Sequence, residues 1–180
     1  LEFRRVLFRS PTDIALSAET VDENLAAGTP VGTLSTTDPD ASDTHTYALV
    51  AGTGDTDNGS FAIVGNELQT AAVFDHELKD SYTVRIQTLD DGGLSYEEAF
   101  TITINDINEA PTDMALSASD IDENEPAASA IGTFSTIDED DGDSHTYTLV
   151  AGPGDTDNGS FAIVGSELQS AAPFDHEAKD

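Results

Sequence analysis

Aspartate and glutamate carry whatever chemistry this sequence has. The 180 residues include 36 of them against six lysines and arginines, for a formal net charge of −30. They come in groups: Asp22-Glu23-Asn24, Asp38-Pro39-Asp40, Asp75-His76-Glu77, and the run Asn105-Asp106-Ile107-Asn108-Glu109-Ala110-Pro111. The group at Asp38 returns as Asp138-Glu139-Asp140. Carboxylate and amide oxygens gathered in this way suit a hard divalent cation, and calcium above all. The same charge repels phosphate, so nucleic acid and anionic membrane surfaces are excluded as partners. Acidity that merely keeps the protein soluble is the competing reading.

Catalytic constellations are absent. Serines and threonines are numerous, but no nucleophile elbow, phosphate loop or triad order can be assembled from them. The chain is therefore not read as an enzyme. Asp55-Thr56-Asp57-Asn58-Gly59 is similar to the start of a helix-flanked calcium loop, yet it lacks the later bidentate Glu, and a turn cornered on Asn58-Gly59 is expected instead. His45 and His76, with their mates His145 and His176, have no His or Cys at zinc spacing and are assigned to packing. Cysteine is absent, so no disulfide can stiffen the fold, and bound metal is the candidate replacement. No apolar run approaches the roughly 20 residues of a membrane span, so no direct membrane insertion is expected.

The elements that must position these acids follow from an internal repeat. Residues 11–80 align with 111–180 at a fixed offset of 100 without a gap, with 48 identities in 70 positions. One unit is about 100 residues, the size of a domain. The expected layout is a first repeat at 11–110 and a second at 111–180 that lacks its last two strands and should not fold in isolation. Residues 1–10, LEFRRVLFRS, hold three of the six basic residues and look like a cloning or sequencing scar. A short basic arm is the alternative.

Strand signals dominate each unit. Tyr82, Val84 and Ile86 alternate with polar residues, as do Phe100, Ile102 and Ile104, and period two with one apolar face predicts half-buried strands. Further strands are predicted at Asp13–Ser17, Val21–Asn24, Val31–Thr36, around Tyr47 and Leu49, around Phe61 and Ile63, and at Glu67–Thr70. Turn clusters such as Ala27-Gly28-Thr29-Pro30 and Asp90-Asp91-Gly92-Gly93 separate them. The fold class is all-β: tandem Greek-key, immunoglobulin-like antiparallel sandwiches.

The motifs DEN, DPD or DED, DHE and DINEAP, in that order inside a duplicated 100-residue sandwich, resemble the cadherin repeat family, and its shorter bacterial form in particular. DINEAP is one residue shorter than the family's longer linker. The resemblance implies a calcium site at the linker, with Glu23, Asp75 and Glu77 from the first repeat, Asp106, Asn108 and Glu109 from the linker, and Asp138 and Asp140 from the second repeat. It further implies a half-site of Asp38, Asp40 and Asp90, and another of Glu123, Asp175 and Glu177.

Seven carboxylates in one site give 21 repelling pairs, each worth roughly 2 kcal/mol at about 7 Å and an effective dielectric near 20. A marginally stable domain cannot hold them together without cations. The function expected is a calcium-dependent cell-surface adhesion module in which Ca2+ stiffens successive repeats. A structural stalk, and an acidic sandwich that ignores calcium, are the alternatives. Neighbouring repeats of the same chain, other cell-surface proteins and polysaccharide are the expected partners. The location expected is extracellular, secreted or held at the surface by a segment outside this sequence.

Overall fold

A computed structural model describes residues 8–177. The chain divides at Ile107 and Asn108 into two units. In unit 1, eight strands follow one another: β1 (Asp13–Leu16), β2 (Thr20–Asp22), β3 (Pro30–Thr37), β4 (His45–Leu49), β5 (Phe61–Val64), β6 (Glu67–Thr70), β7 (Ser81–Asp90) and β8 (Ser95–Asn105). Every strand segment expected from the sequence is present. The last two are longer than their apolar stripes, because Arg85–Leu89 of β7 stay paired with Ser95–Ala99 of β8 beyond the stripe of β8.

The strands form two sheets, ordered β1-β3-β6-β5 and β2-β8-β7-β4. One pairing departs from the antiparallel expectation: β2 runs parallel to β8, with Val21 opposite Ile104. Parallel neighbours cannot be joined by a tight turn, and here some 80 residues of intervening chain separate them. The core lies between the sheets. Ile14, Val31, Leu34, Phe61 and Leu68 come from the first, and Val21, Val84, Ile86, Phe100, Ile102 and Ile104 from the second, with Phe74 closing one end. Val84, Ile86 and Ile102 are wholly buried, each contributing about 2 kcal/mol by leaving water. Phe61, Phe74 and Tyr82 pack as a ring cluster, with centroids 4.5–6.0 Å apart.

Gly32 sits where β3 slips by one residue against β6. A Cβ there would stand 2.8 Å from the carbonyl oxygen of Ala18. Only glycine lets β3 pass so close to the chain leaving β1.

Unit 2 repeats the first sheet at an offset of 100. Its strands are β9 (Asp113–Leu116), β10 (Ala130–Ile137), β11 (Phe161–Val164) and β12 (Glu167–Ser170), ordered β11-β12-β10-β9. Among its described residues there is no second sheet, and the counterparts of β2 and β4 are not strands. No described helix is long and apolar enough to cross a membrane.

The loop at residues 55–60 is a turn, as expected, ending in one turn of 3-10 helix at Asn58–Ser60. Its acids are spent on structure. Asp57 is ion-paired with Lys79 and accepts the Thr83 N–H at 2.8 Å, while Asn58 accepts the Arg85 N–H at 2.9 Å.

Candidate metal centre

The sheet pleat explains how acids reach the ends of an apolar core. In β7, alternate residues Val84, Ile86, Thr88 and Asp90 all point inward, so the last of them is an aspartate at the rim, 4% exposed. Its Oδ1 accepts the Leu94 N–H at 2.7 Å. Its Oδ2 is buried and accepts no hydrogen bond. Asp38 and Asp43 stand beside it, and one oxygen of each of the three lies within 4.8 Å of the others. The Asp40 N–H and the His45 ring hold Asp38 at 2.8 and 3.0 Å, and together they keep its carboxyl below the usual range. Asp43 is pushed the other way, by loss of water and then by the charges of Asp91, Asp40, Asp38 and Asp90. A buried carboxylate oxygen without a donor, among like charges, is costly unless a cation reaches it.

The donor set therefore fits Ca2+: hard oxygens, negative in sum, with Oδ2 of both Asp43 and Asp90 buried and without a hydrogen bond. Two features differ from the sequence reading. Asp43 belongs to the group although it was not singled out. Asp40 is engaged elsewhere, for its carboxylate takes the Arg9 backbone N–H at 2.7 Å and the Arg9 guanidinium at 3.2 Å.

At the other end of unit 1, Glu23, His76, Glu77 and Asp106 bring ligand atoms within 4.8 Å of one another. Asn24 makes this possible. It adopts a left-handed turn, φ 59°, which Asn tolerates, and its N–H donates to the Phe74 carbonyl at 2.9 Å. The preceding Glu23 is thereby turned inward, 2% exposed. Its two oxygens accept the N–H groups of His76 and Ile107, each at 2.8 Å. Glu23 thus ties the Asp75–Glu77 turn to the start of the linker, and each oxygen keeps a lone pair for an ion. The Glu77 carboxylate, at 3.2 Å, raises the affinity of His76 for a proton, with Asp106 and Glu23 adding to it. Asp75 is not in this group. Its Oδ1 accepts the Leu78 N–H at 2.7 Å and closes the turn. His76 was assigned to packing, and its place among the acids could be read only from the Asp-His-Glu spacing.

In unit 2, Asn108, Glu109, Asp138 and Asp140 come together. The Glu109 N–H donates to Asp140 at 2.8 Å, the Asn108 amide to the Glu109 carbonyl at 2.6 Å, and the Asp140 N–H to Asp138 at 3.4 Å. His145 stands 3.7 Å from Asp138, as His45 stands by Asp38. At its far end Glu123, Asp175 and Glu177 form another group within 4.8 Å, all exposed.

Residues 17–105 match the cadherin domain family. Cadherin-4 of Caenorhabditis elegans is 31% identical over 125 residues, which is 67% of this chain and 3% of that protein. Human Protocadherin-16 is 41% identical over 100 residues, 51% of this chain and 3% of that protein. The chain thus spans a small fraction of the length of these relatives. Among solved structures, the first two extracellular domains of human Protocadherin-24 superpose with a TM-score of 0.68 at 19% identity, covering 89% of this chain and 76% of that one. At that identity the likeness is one of fold.

Proposed function

We propose, from the premise that residues 17–105 are a cadherin domain, that the chain is a calcium-dependent cell-surface adhesion module. Calcium would be held by Glu23, Glu77 and Asp106 at one end of unit 1, with Asp75 close in sequence. Asn108, Glu109, Asp138 and Asp140 would hold calcium in unit 2. Asp38, Asp43 and Asp90 would hold calcium at the opposite end of unit 1. The observation that carries the reading is the Oδ2 of Asp90, buried without a donor beside two further carboxylates.

Extracellular calcium lies in the range that such weak external sites use, about 10⁻⁴–10⁻³ M, which favours a location outside the cell. The homology to adhesion proteins supports the same location and favours neighbouring repeats and other cell-surface molecules as partners. A second reading, a stalk that spaces another domain from the surface, is favoured by the near-identity of the units, since specific recognition usually needs distinct faces.

The test is a thermal melt of the 180-residue chain in chelator, millimolar magnesium and millimolar calcium, with Asp106→Ala beside it. A rise of several degrees with calcium, reduced in the variant and absent with magnesium, is expected. No calcium response in the parent chain would overturn the proposal.

A further inference from the structure

In unit 1 a side chain closes the ladder between β4 and β7. The register that sets Leu49 opposite Ile86 next sets Val50 opposite Arg85, and a hydrogen-bonded antiparallel pair exchanges two backbone bonds. One of the two is direct, with the Val50 N–H donating to the Arg85 carbonyl at 3.0 Å. The return bond is relayed. The Arg85 N–H donates to Asn58 Oδ1 at 2.9 Å, and Asn58 Nδ2 donates to the Val50 carbonyl at 2.9 Å. The half-buried Asn58 carboxamide thus stands between the strands like an extra peptide group, accepting on one side and donating on the other.

A carboxylate in that place would accept from Arg85 but would have no proton for Val50, so two acceptors would face each other. Asn158 makes the same bond to the Val150 carbonyl, at 2.9 Å. It lies in residues 154–165, which repeat 54–65 without a change.

The residue after Asn58 is Gly59, which is exposed and would meet nothing within 4 Å if it carried a Cβ. An asparagine followed by glycine is open to attack from its own backbone, because glycine has no side chain to obstruct the approach. The Gly59 nitrogen bonds to Asn58 Cγ, the bond from Cγ to Nδ2 breaks, and the Gly59 N–H proton leaves with it as ammonia. Water then opens the five-membered succinimide at one of its two carbonyls, leaving aspartate or isoaspartate at position 58.

The fold opposes the first of these steps. Both ends of the carboxamide are held, so Cγ cannot swing onto the following nitrogen. The backbone around it is held as well: Asn58–Ser60 is a turn of 3-10 helix, the Phe61 N–H donates to the Asn58 carbonyl, and the Asn58 N–H donates to the Asp55 carbonyl at 3.1 Å. Ring closure requires this turn to open and the carboxamide to leave its slot, which is a local unfolding of the edge of β7.

We propose that Asn58 is a site of spontaneous hydrolytic deamidation, which the closed ladder suppresses, and that the product, lacking the donor for Val50, keeps the ladder from closing again. An opening of this edge is thereby converted into a permanent loss, with water as the only co-reactant.

The experiment compares the 180-residue chain in chelator, below its melting transition, with the same chain in concentrated urea, both at mildly alkaline pH, so that the outcome is independent of calcium. Proteolytic fragments are weighed by mass spectrometry, and a fragment that reaches Thr53 is told from its unit 2 counterpart, which carries Pro153. Asn58 should convert at least about tenfold more slowly in the folded chain, where the open edge is a minority state. Gly59→Ala should slow the conversion in urea by at least about tenfold, by obstructing the attacking geometry, and leave the melt close to that of the parent. Asn58→Asp should melt at least about 4 °C lower, the shift produced by one lost hydrogen bond in a domain of this size. Equal rates in the two states, a Gly59→Ala chain that converts in urea as fast as the parent, or an Asn58→Asp melt that matches the parent would each overturn the proposal.

Discussion

Arg9 and Glu109 stand 100 residues apart in the chain and make the same backbone contact. The Arg9 N–H donates to Asp40 Oδ2 at 2.7 Å, and the Glu109 N–H to Asp140 Oδ2 at 2.8 Å. The side chains have opposite charge. At the end of unit 1 a guanidinium therefore sits against Asp40, where unit 2 carries a carboxylate. Arg9→Glu should turn this internal counter-ion into a further oxygen donor. Calcium affinity at the Asp38, Asp43 and Asp90 end is expected to rise about tenfold, the sign following from removing a positive and adding a negative charge near a divalent ion. Calorimetric titration of the two chains checks it, and an unchanged isotherm would count against that end as a calcium site.

Glu23 has a structural duty that precedes any ion. Its buried carboxylate satisfies two backbone N–H groups, those of His76 and Ile107. Glu23→Ala leaves both part-buried N–H groups without their acceptor, at about 1.5 kcal/mol each, the lower end for bonds to a charged group. A loss of about 3 kcal/mol in chelator is expected, or roughly 12–24 °C in melting temperature for a domain of this size. Glu77→Ala has no such bond to lose and should leave the melt in chelator nearly unchanged while weakening the response to calcium. Equal losses for the two variants in chelator would show that Glu23 is no more than one ligand among several.

How much of this was legible in the sequence depends on the residue. Strands β7 and β8 could be read directly, since Val84, Ile86, Phe100, Ile102 and Ile104 alternate with polar neighbours and are buried as the alternation requires. The parallel entry of β2 could not, because three residues carry no sign of which edge they join or in which direction. Acidic motifs pointed to the loops that carry the carboxylate groups but not to every side chain in those groups. Asp43 lies in the same loop as Asp38, yet only the folded loop, with the Asp43 N–H bonded to the Asp40 carbonyl at 3.1 Å, brings it beside Asp90. Asp75 and Glu77 look equivalent in the Asp-His-Glu run. One closes a turn and the other reaches the cluster, a choice made by local hydrogen bonding rather than residue type.

Gly32 is a position where substitution should be costly without touching any acid. Its missing side chain leaves room for the Ala18 backbone, and that neighbour is main chain, which yields little. Gly32→Ala is expected to cost about 1–3 kcal/mol through forced backbone movement. Gly59, which has open space around it, is the control, and Gly59→Ala should stay within about 1 kcal/mol. Denaturant melts of both variants decide the matter.

Asp57 gives unit 1 a dependence on acid that has nothing to do with metal. Partial loss of water pushes its carboxyl up, but the Lys79 ammonium and the Thr83 N–H more than reverse this and hold it below the ordinary range. A carboxyl with a depressed folded-state pKa stabilises the fold above its unfolded value, near 4, and that stabilisation disappears as the pH falls through and below it. The stability gap between the parent chain and Asp57→Asn should therefore be full above about pH 5 and close as the pH drops toward 3. Melts across that interval in chelator check it. A gap that does not change with pH would mean that Lys79 and Asp57 contribute through packing alone.

Asp90 separates a fold requirement from a metal requirement. Its Oδ1 is used by the Leu94 N–H, which the amide oxygen of an asparagine could also accept. Its Oδ2 is buried without a donor and faces the carboxylates of Asp38 and Asp43. Without an ion, the negative charge of that group opposes folding, and Asp90→Asn removes a third of it while keeping shape and the turn bond. The variant should be more stable than the parent chain in chelator, by about 1 kcal/mol. In millimolar calcium the order should reverse, because the parent gains the ion and the variant has lost its most buried donor. The crossing of two melting series, one in chelator and one in calcium, is the measurement. If Asp90→Asn is the less stable chain in both conditions, the buried oxygen has a partner within the protein and the group is not a cation site.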